Sequence, residues 1–484
     1  VSGAVVMMLE LTGSRIMAPF LGTSTFIWTS LIGIILASLS AGYYYGGKYA
    51  DAHPSPERLG KILVAAGIAI GVVALINQTI LGVVQQYVSN LRLAAVVAAS
   101  LLFGIPGFLL GMVSPMAARL RMTDVNTAGS TIGGLYALSS VGSIFGTFLV
   151  GFYLLGVIGS RNTIYLLSGI MLALSFLYFV SKDTMIFLGL VLVAPFVISY
   201  TTPKTAGNKI DTEYNAVTIL DYDSLSYIKK PVRLMRLGNE FSSAMYMNND
   251  SLAFRYTRYY ELAMHFKPAL KSTLLIGGAG YSVPKFYQRY YPEVAMDVVE
   301  IDPGLTSLAM EYFQFKPNEN VKAIHADGRI FLNSNTTKYE AIFIDAYKSL
   351  YSIPFHLVSE EAWQKVAESL NDDGFVQANV LASVEGENNE LLTSIIKTAR
   401  QAFPVVKIFK VAPESPLDVV QNVMLVCFKS QPEYAKASQN PMLQNYLDSE
   451  LDMSKIDFSR AMVLTDNFAP VEHFGEKMIA AYAH

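Results

Sequence analysis

TLLIGGAGYS, residues 273–282, reads as a buried apolar strand running straight into a glycine-rich turn. SVPKFYQRYY (282–291) is helical in pattern, MDVVEID (296–302) is a second strand ending in acids, and LTSLAMEYF (305–313) is a helix again. VKAIHADG (321–328) and YEAIFIDAY (339–347) add a third and a fourth strand, each ending in a polar turn. SEEAWQKVAESL (359–370) is a helix opened by a capping Ser, and GFVQANVL, VVKIFKV and NVMLVCF supply further strands. Strands alternating with helices predict a doubly wound, mostly parallel sheet. Ligands of such sheets bind outside the carboxyl ends of the strands, where the turns GGAGYS, EID, ADG and DAY fall.

Each turn suits one part of a ligand. Gly277, Gly278 and Gly280 let backbone approach closely because no Cβ intervenes, and the following helix N-terminus favours negative groups. The spacing departs from the G-x-G-x-x-G of dinucleotide sites. Glu300, about twenty residues on, can accept from both hydroxyls of a ribose, and Asp327 can accept from an adenine amino group. Together they suit an adenosine-containing ligand, the alternative being that both acids cap helices. Asp345, at the end of the fourth strand, is the candidate for proton chemistry.

Upstream of this region the sequence splits by composition. Hydrophobic residues make up 52% of the 484 and charged residues 15%, with charges sparse up to about residue 200. Apolar runs near 1–21, 26–46, 61–82, 93–115, 131–155 and 162–180 approach the roughly 20 residues that span a bilayer. A seventh, 185–200, is short for a span. The runs are rich in Gly, Ala and Ser, which predicts close helix packing, and the first is too long and too polar in its middle for a cleavable signal peptide. Lys48, Arg58, Lys61, Arg119, Arg121 and Lys182 fall in the loops after even-numbered spans, which places those loops in the cytoplasm. A seventh segment that does not cross keeps the soluble half there too. Glu10 and Arg15 inside the first run are either functional or mutually paired.

Between the halves, residues 211–250 hold the short runs AVTILDY, SYIKK, VRLMRL and SAMYM, which predict a small antiparallel sheet. LAFRYTRYYELAMHF (252–266) predicts a helix. The net charge of −3 and the lack of a basic stripe exclude a nucleic-acid partner. The single Cys427 excludes an intrachain disulfide, and neither it nor the spacing of His265 and His356 offers a metal site.

The stretch 274–313, with HADGRIFL and YEAIFIDAY, resembles the polyamine aminopropyltransferases, the spermidine synthase family. MLELTGSRIMAPFLGTSTFIWTSLIGIILASLSAGYYYGGKYAD and the closing LTDNFAPVEHF are similar to bacterial membrane-fused members. The resemblance implies a transmembrane helical bundle over 1–200, a small antiparallel β subdomain over 205–250, and an α/β doubly wound, Rossmann-like, class I methyltransferase-type domain over 251–484. It implies decarboxylated S-adenosylmethionine, or S-adenosylmethionine, as co-substrate and no metal. The expected partners are the lipid bilayer, a small-molecule amine or other acceptor, and a second copy in a homodimer. The implied binding residues are Glu300 for ribose, Asp327 with Gly328 for adenine, the glycine turn, and Asn215 on the cofactor side. Tyr214, Tyr259, Glu261, Tyr347 and Lys348 are implied on the substrate side, with Asp345 accepting the proton of the attacking amine.

Three positions depart from the family pattern. Gly280 stands where soluble members carry the acid of G-G-G-D-G-G, Lys348 where a second acid follows the first, and Tyr260 where a polar amine-facing residue lies. Lys348 is a surface residue, a clamp for a ligand carboxylate, or a partner for Asp345. Tyr281, Tyr347 and Tyr351 either shield a sulfonium by cation–π contact or simply pack, and Asp466 and Glu472 could replace the missing acids. A different S-adenosylmethionine reaction, methyl transfer or sulfonium cleavage, is therefore an alternative. A transporter or sensor whose soluble half binds adenosyl ligands is another.

Overall fold

The computed structural model describes residues 1–22, 24–88, 90–122, 124–178, 208–225, 228–346 and 354–482. The seventh apolar segment and the predicted site residues Tyr347, Lys348 and Tyr351 lie outside the described residues. The chain divides into two compact units, one helical and one α/β.

The helical unit begins with α1 (Ser2–Leu21), α2 (Thr25–Ala52), α3 (Pro56–Tyr87) and α4 (Leu91–Arg121). Asn90 starts α4 by accepting a hydrogen bond from Leu93 N. Among the described residues, five helices are long and apolar enough to cross a membrane, the last being a 51-residue run, Ala128–Tyr178. This run carries both the fifth and the sixth predicted spans, as α5 (Ala128–Leu149), a π turn (Val150–Leu154) and α6 (Leu155–Ser175). No loop separates them; the direction changes at Gly159, whose φ of 74° and ψ of 170° leave the helix.

Small residues set the packing of this unit. Gly42 and Gly46 of α2 sit against the backbone of α4, and a Cβ on Gly46 would lie 2.7 Å from the Met112 Cα. On the facing side, a Cβ on Gly111 would lie 2.6 Å from the Leu39 carbonyl oxygen. Two helices approach this closely where one of them presents a glycine at the contact.

In the second unit, β1 (Asn208–Asp211), β2 (Ala216–Tyr222), β3 (Val232–Leu237) and β4 (Glu240–Tyr246) form a small sheet in that order. Antiparallel pairing runs from Val217 opposite Leu237 to Tyr222 opposite Val232, and β4 returns along β3. The described part of the SYIKK run is not a strand, and β1 starts earlier than the sequence pattern implies.

The region predicted as one helix over 252–266 is three short pieces: Arg255–Arg258, a 3-10 turn Tyr259–Glu261, and Leu262–Phe266. After it come β5 (Ser272–Ile276), α7 (Ser282–Tyr290), β6 (Ala295–Glu300), α8 (Pro303–Tyr312), β7 (Val321–His325), α9 (Gly328–Ser334) and β8 (Tyr339–Ile344). The domain continues with α10 (Glu360–Glu368), β9 (Leu370–Ala382), α11 (Glu390–Ala399), β10 (Val405–Lys410) and β11 (Gln421–Phe428). The seven strands lie in the order β10-β11-β9-β8-β5-β6-β7. Strands β5 to β9 are parallel, and β10 and β11 are antiparallel additions at one edge. This is a Rossmann-like doubly wound sheet, apolar on both faces. Along β8, Ile342 and Ile344 enter one core with Trp363 and Val376, while Ala341 and Phe343 enter the other with Tyr260, Tyr287 and Phe375. The chain runs from β5 to β6 on one side and reaches β8 on the other, so a crevice opens at the carboxyl end of β5.

Candidate active site

The glycine turn is built around Glu300. One carboxylate oxygen accepts from the main-chain N–H of both Gly278 and Ala279, each at 2.9 Å, and the other accepts from Asp302 N at 3.0 Å. Glu300 is only 5% exposed, so these three bonds offset the cost of burying its charge. A carboxylate has about four acceptor directions, so little capacity is left for ribose hydroxyls. Sequence reasoning placed Glu300 correctly at the turn but assigned it outward, whereas most of its bonding is to the turn itself.

Gly277 is the hinge between β5 and β8. Its φ is 98°, its N–H donates to Val299 O, and Asp345 N donates to Ile276 O at 2.9 Å. A Cβ on Gly277 would overlap the Asp345 carbonyl, so glycine is what lets the catalytic candidate sit against the turn. Gly278 has no room either, since a Cβ would lie 2.8 Å from the Tyr281 ring. Gly280 donates its N–H to Ser243 Oγ at 2.9 Å, and a Cβ there would fall 2.7 Å from the Ser243 Cβ. β4 closes over the turn, so that a side chain at position 280 would have to displace Ser243.

Asp345 is half-buried. Its Oδ1 accepts from Asn379 Nδ2 and its Oδ2 accepts from the Tyr256 hydroxyl, both at 3.2 Å. Asn379 is held in turn by Asn422, whose Nδ2 donates to Asn379 Oδ1 at 3.0 Å. Burial pushes the Asp345 carboxyl up to about 6, against the pull of the Asn379 and Tyr256 hydrogen bonds, which favour the anion. Such a group is ionised at neutral pH yet basic enough to take a proton.

Tyr256 and Asn379 were not singled out from sequence. Asn379 had a legible signal, a polar residue in the apolar run GFVQANVL. Tyr256 is one of several tyrosines in RYTRYYELAMHF, and only the fold brings it to an acid 89 positions away.

Several predicted residues lie elsewhere. The Tyr259 hydroxyl donates to Lys410 O at 2.8 Å, at the end of edge strand β10, with β11 and β9 between it and β8. Glu261 accepts from the Tyr291 hydroxyl at 3.1 Å, on the side where β6 begins. Both are scaffold contacts, set by the broken helix that turns these side chains away. Tyr260 and Tyr281 are fully buried, the first donating to Ile344 O and the second stacked on Phe315. Neither lines a mouth where a sulfonium would sit. Asn215 is buried and donates to Asp302 Oδ2 at 2.6 Å, while Asp302 caps α8 through Gly304 N. It supports the turn rather than facing a ligand. Tyr214 is exposed, in the connection before β2.

Asp327 caps α9, its Oδ1 accepting from Arg329 N and Ile330 N, while Oδ2 lies 3.7 Å from His356 Nε2. One oxygen thus serves the helix and the other faces outward. Gly328 packs on β5, where a Cβ would lie 2.7 Å from Ile276 Cγ2. Asp466 accepts from Arg329 Nη2 at 2.7 Å and from Ser359 Oγ at 2.6 Å, so it is engaged by its neighbours and does not replace an acid of the amine site.

No protein-family model matches the chain. A polyamine aminopropyltransferase of Vibrio vulnificus is 26% identical over 295 residues, which is 58% of this chain and 93% of that protein. The chain is similar to proteins of the spermidine synthase type, which are transferases. The eEF1A lysine and N-terminal methyltransferase of Xenopus laevis is 28% identical over 152 residues, 30% of this chain and 21% of that protein. A probable spermidine synthase structure from Corynebacterium glutamicum superposes with a TM-score of 0.42 at 19% identity, covering 49% of this chain and 84% of that one.

Proposed function

We propose that the chain is a membrane-bound aminopropyltransferase-like enzyme that transfers a group from an adenosyl sulfonium to an amine, with Asp345 as proton acceptor. The observation that carries this reading is the Asp345 carboxylate, seated beside the glycine turn, hydrogen-bonded by Tyr256 and Asn379, and kept basic by burial that outweighs those two bonds. A polyamine nitrogen is protonated at neutral pH and attacks only after losing a proton. Asp345 holds the ammonium, takes its proton as the nitrogen bonds to the carbon beside sulfur, and leaves a neutral thioether nucleoside. The sulfonium is already a good leaving group, so the remaining work is positioning, assigned to the glycine turn, Asp327 and Gly328. The apolar helices anchor the enzyme in a bilayer, with the soluble half on the cytoplasmic side, where such a donor is available.

A second reading, methyl transfer from intact S-adenosylmethionine, is favoured by one feature. The closed contact of Gly280 on Ser243 leaves no carboxylate there to repel the carboxylate that only the intact donor carries. Incubating the purified chain with each donor, with and without a panel of amines, separates the two by mass spectrometry. Methylthioadenosine formed from the decarboxylated donor only when an amine is present supports aminopropyl transfer. S-adenosylhomocysteine formed from the intact donor transfers the assignment to methylation, and turnover of neither donor defeats both.

A further inference from the structure

The closing motif LTDNFAPVEHF remains outside the chemistry above, yet it is bonded to the element that carries Asp327. Thr465 and Phe468 exchange main-chain hydrogen bonds to close a tight turn, and Asp466 projects from it. The Arg329 guanidinium meets that carboxylate with both of its terminal nitrogens, at 3.2 and 2.7 Å. The same Arg329 Nη1 donates to the His356 carbonyl at 3.0 Å and to Ser359 Oγ at 3.1 Å. The Ser359 hydroxyl, fully buried, donates to Asp466 Oδ1, and Glu361 accepts from Asp466 N at 2.9 Å. The Arg329 side chain is 14% exposed and that of Asp466 41%, so the pair is bidentate and shielded on the arginine side.

Geometry gives the network a direction. Arg329 is two residues after Asp327, and its own N–H is one of the two that fix Asp327 Oδ1. Its guanidinium fixes the backbone of His356, whose imidazole stands 3.7 Å from the other oxygen, Oδ2. The main chain at 329 thus serves one side of the Asp327 carboxylate, and the Arg329 guanidinium, held by Asp466, serves the other through His356. We propose that Asp466 and Arg329 are positioning residues for the nucleoside end of the donor: the C-terminal turn latches His356 beside Asp327 and so preorganises the carboxylate that reads the base. This rests on the adenosyl-ligand reading of the site. A planar guanidinium that bonds to four partners, Asp466, His356 O, Ser359 and Asn333, is not replaced by a lysine, which offers a single ammonium point.

The test is isothermal titration of the full chain in detergent with methylthioadenosine and with S-adenosylhomocysteine, alongside steady-state kinetics. Asp466→Ala and Arg329→Lys are expected to weaken the nucleoside that wild type binds by about tenfold. They are also expected to raise the donor KM in proportion while leaving kcat at saturation within about threefold. Asp466→Glu, which keeps a carboxylate for the fork, should recover most of the loss. His356→Ala, at a partly exposed side chain, should reproduce it without disturbing the turn. Unchanged affinity in folded Asp466→Ala and His356→Ala overturns the latch, as does a collapse of kcat with affinity intact. If wild type itself binds neither nucleoside, the adenosyl reading fails first, and the latch fails with it.

Discussion

Two carboxylates stand at the ends of the strands that flank β5, and they are wired oppositely. Glu300, closing β6, is held by three main-chain N–H groups and belongs to the turn it shapes. Asp345, just past β8, is held by two side chains, Tyr256 and Asn379, and its carboxyl is pushed up to about 6. A carboxylate tied to backbone builds a site, because those donors are fixed by the fold. A carboxylate tied to side chains in a half-buried place keeps its basicity available for a proton. The same residue class at equivalent strand ends thus serves architecture on one side and chemistry on the other.

Replacing each acid by its amide tests the contrast most severely. Asp345→Asn should lower turnover by about 10³-fold, in the range of a lost general base, while methylthioadenosine affinity in a titration stays within about threefold. Turnover preserved in that variant would remove Asp345 from the chemistry. Glu300→Gln should do the reverse kind of damage. The amide –NH₂ must face one of the N–H groups of Gly278, Ala279 or Asp302, so at least one buried donor loses its acceptor at a cost of about 1–3 kcal/mol. Thermal melting should show that loss, and nucleoside binding should weaken together with stability. A Glu300→Gln protein that melts like wild type but fails only in turnover would mean that the two acids are not distinct in role.

Gly280→Asp asks whether the family acid can be restored. The new Cβ falls 2.7 Å from that of Ser243, and overpacking of this kind costs about 1–3 kcal/mol. The variant should melt lower and gain no diamine activity, whereas Gly280→Asp combined with Ser243→Gly should melt closer to wild type. Equal stability of the single variant would show that β4 yields at this contact.

How much of this contrast was legible in the sequence depends on what kind of neighbour each residue has. Asp345, Gly277 and Gly280 were legible because an acid or a glycine at a strand end has few uses. The parallel sheet followed from the alternation of apolar runs with helix-like ones. Glu300 was located but its bonding was not, since its partners are backbone N–H groups, which no residue identity announces. Tyr259 and Glu261 were assigned from the resemblance of their motif, and in the fold they bond to Lys410 O and to the Tyr291 hydroxyl. Tyr256, in the short helix just before the 3-10 turn at Tyr259–Glu261, is the tyrosine that meets the acid. In the helical unit, the glycines foretold close packing, but the run from α5 to α6 gave no hint that a single glycine, Gly159, would stand where a loop was expected.

Tyr256→Phe is the mildest change and probes the wiring of Asp345 alone. The hydroxyl donates to the ionised carboxylate and so holds its pKa down; burial acts in the other direction and is larger. Removing the hydroxyl leaves burial less opposed, and the carboxyl must rise above about 6. The proton acceptor is active as the anion, so kcat/KM for the wild type should fall as pH drops through about 6, following one proton. In Tyr256→Phe the same limb should move to higher pH, and the rate at pH 7 should fall by roughly two- to fivefold, with the high-pH plateau little changed. An acid limb that stays in place, or moves to lower pH, would show that Tyr256 does not stabilise the anion that carries the reaction. A limb that moves as expected while the plateau collapses would give the hydroxyl a second duty, contact with the acceptor amine itself.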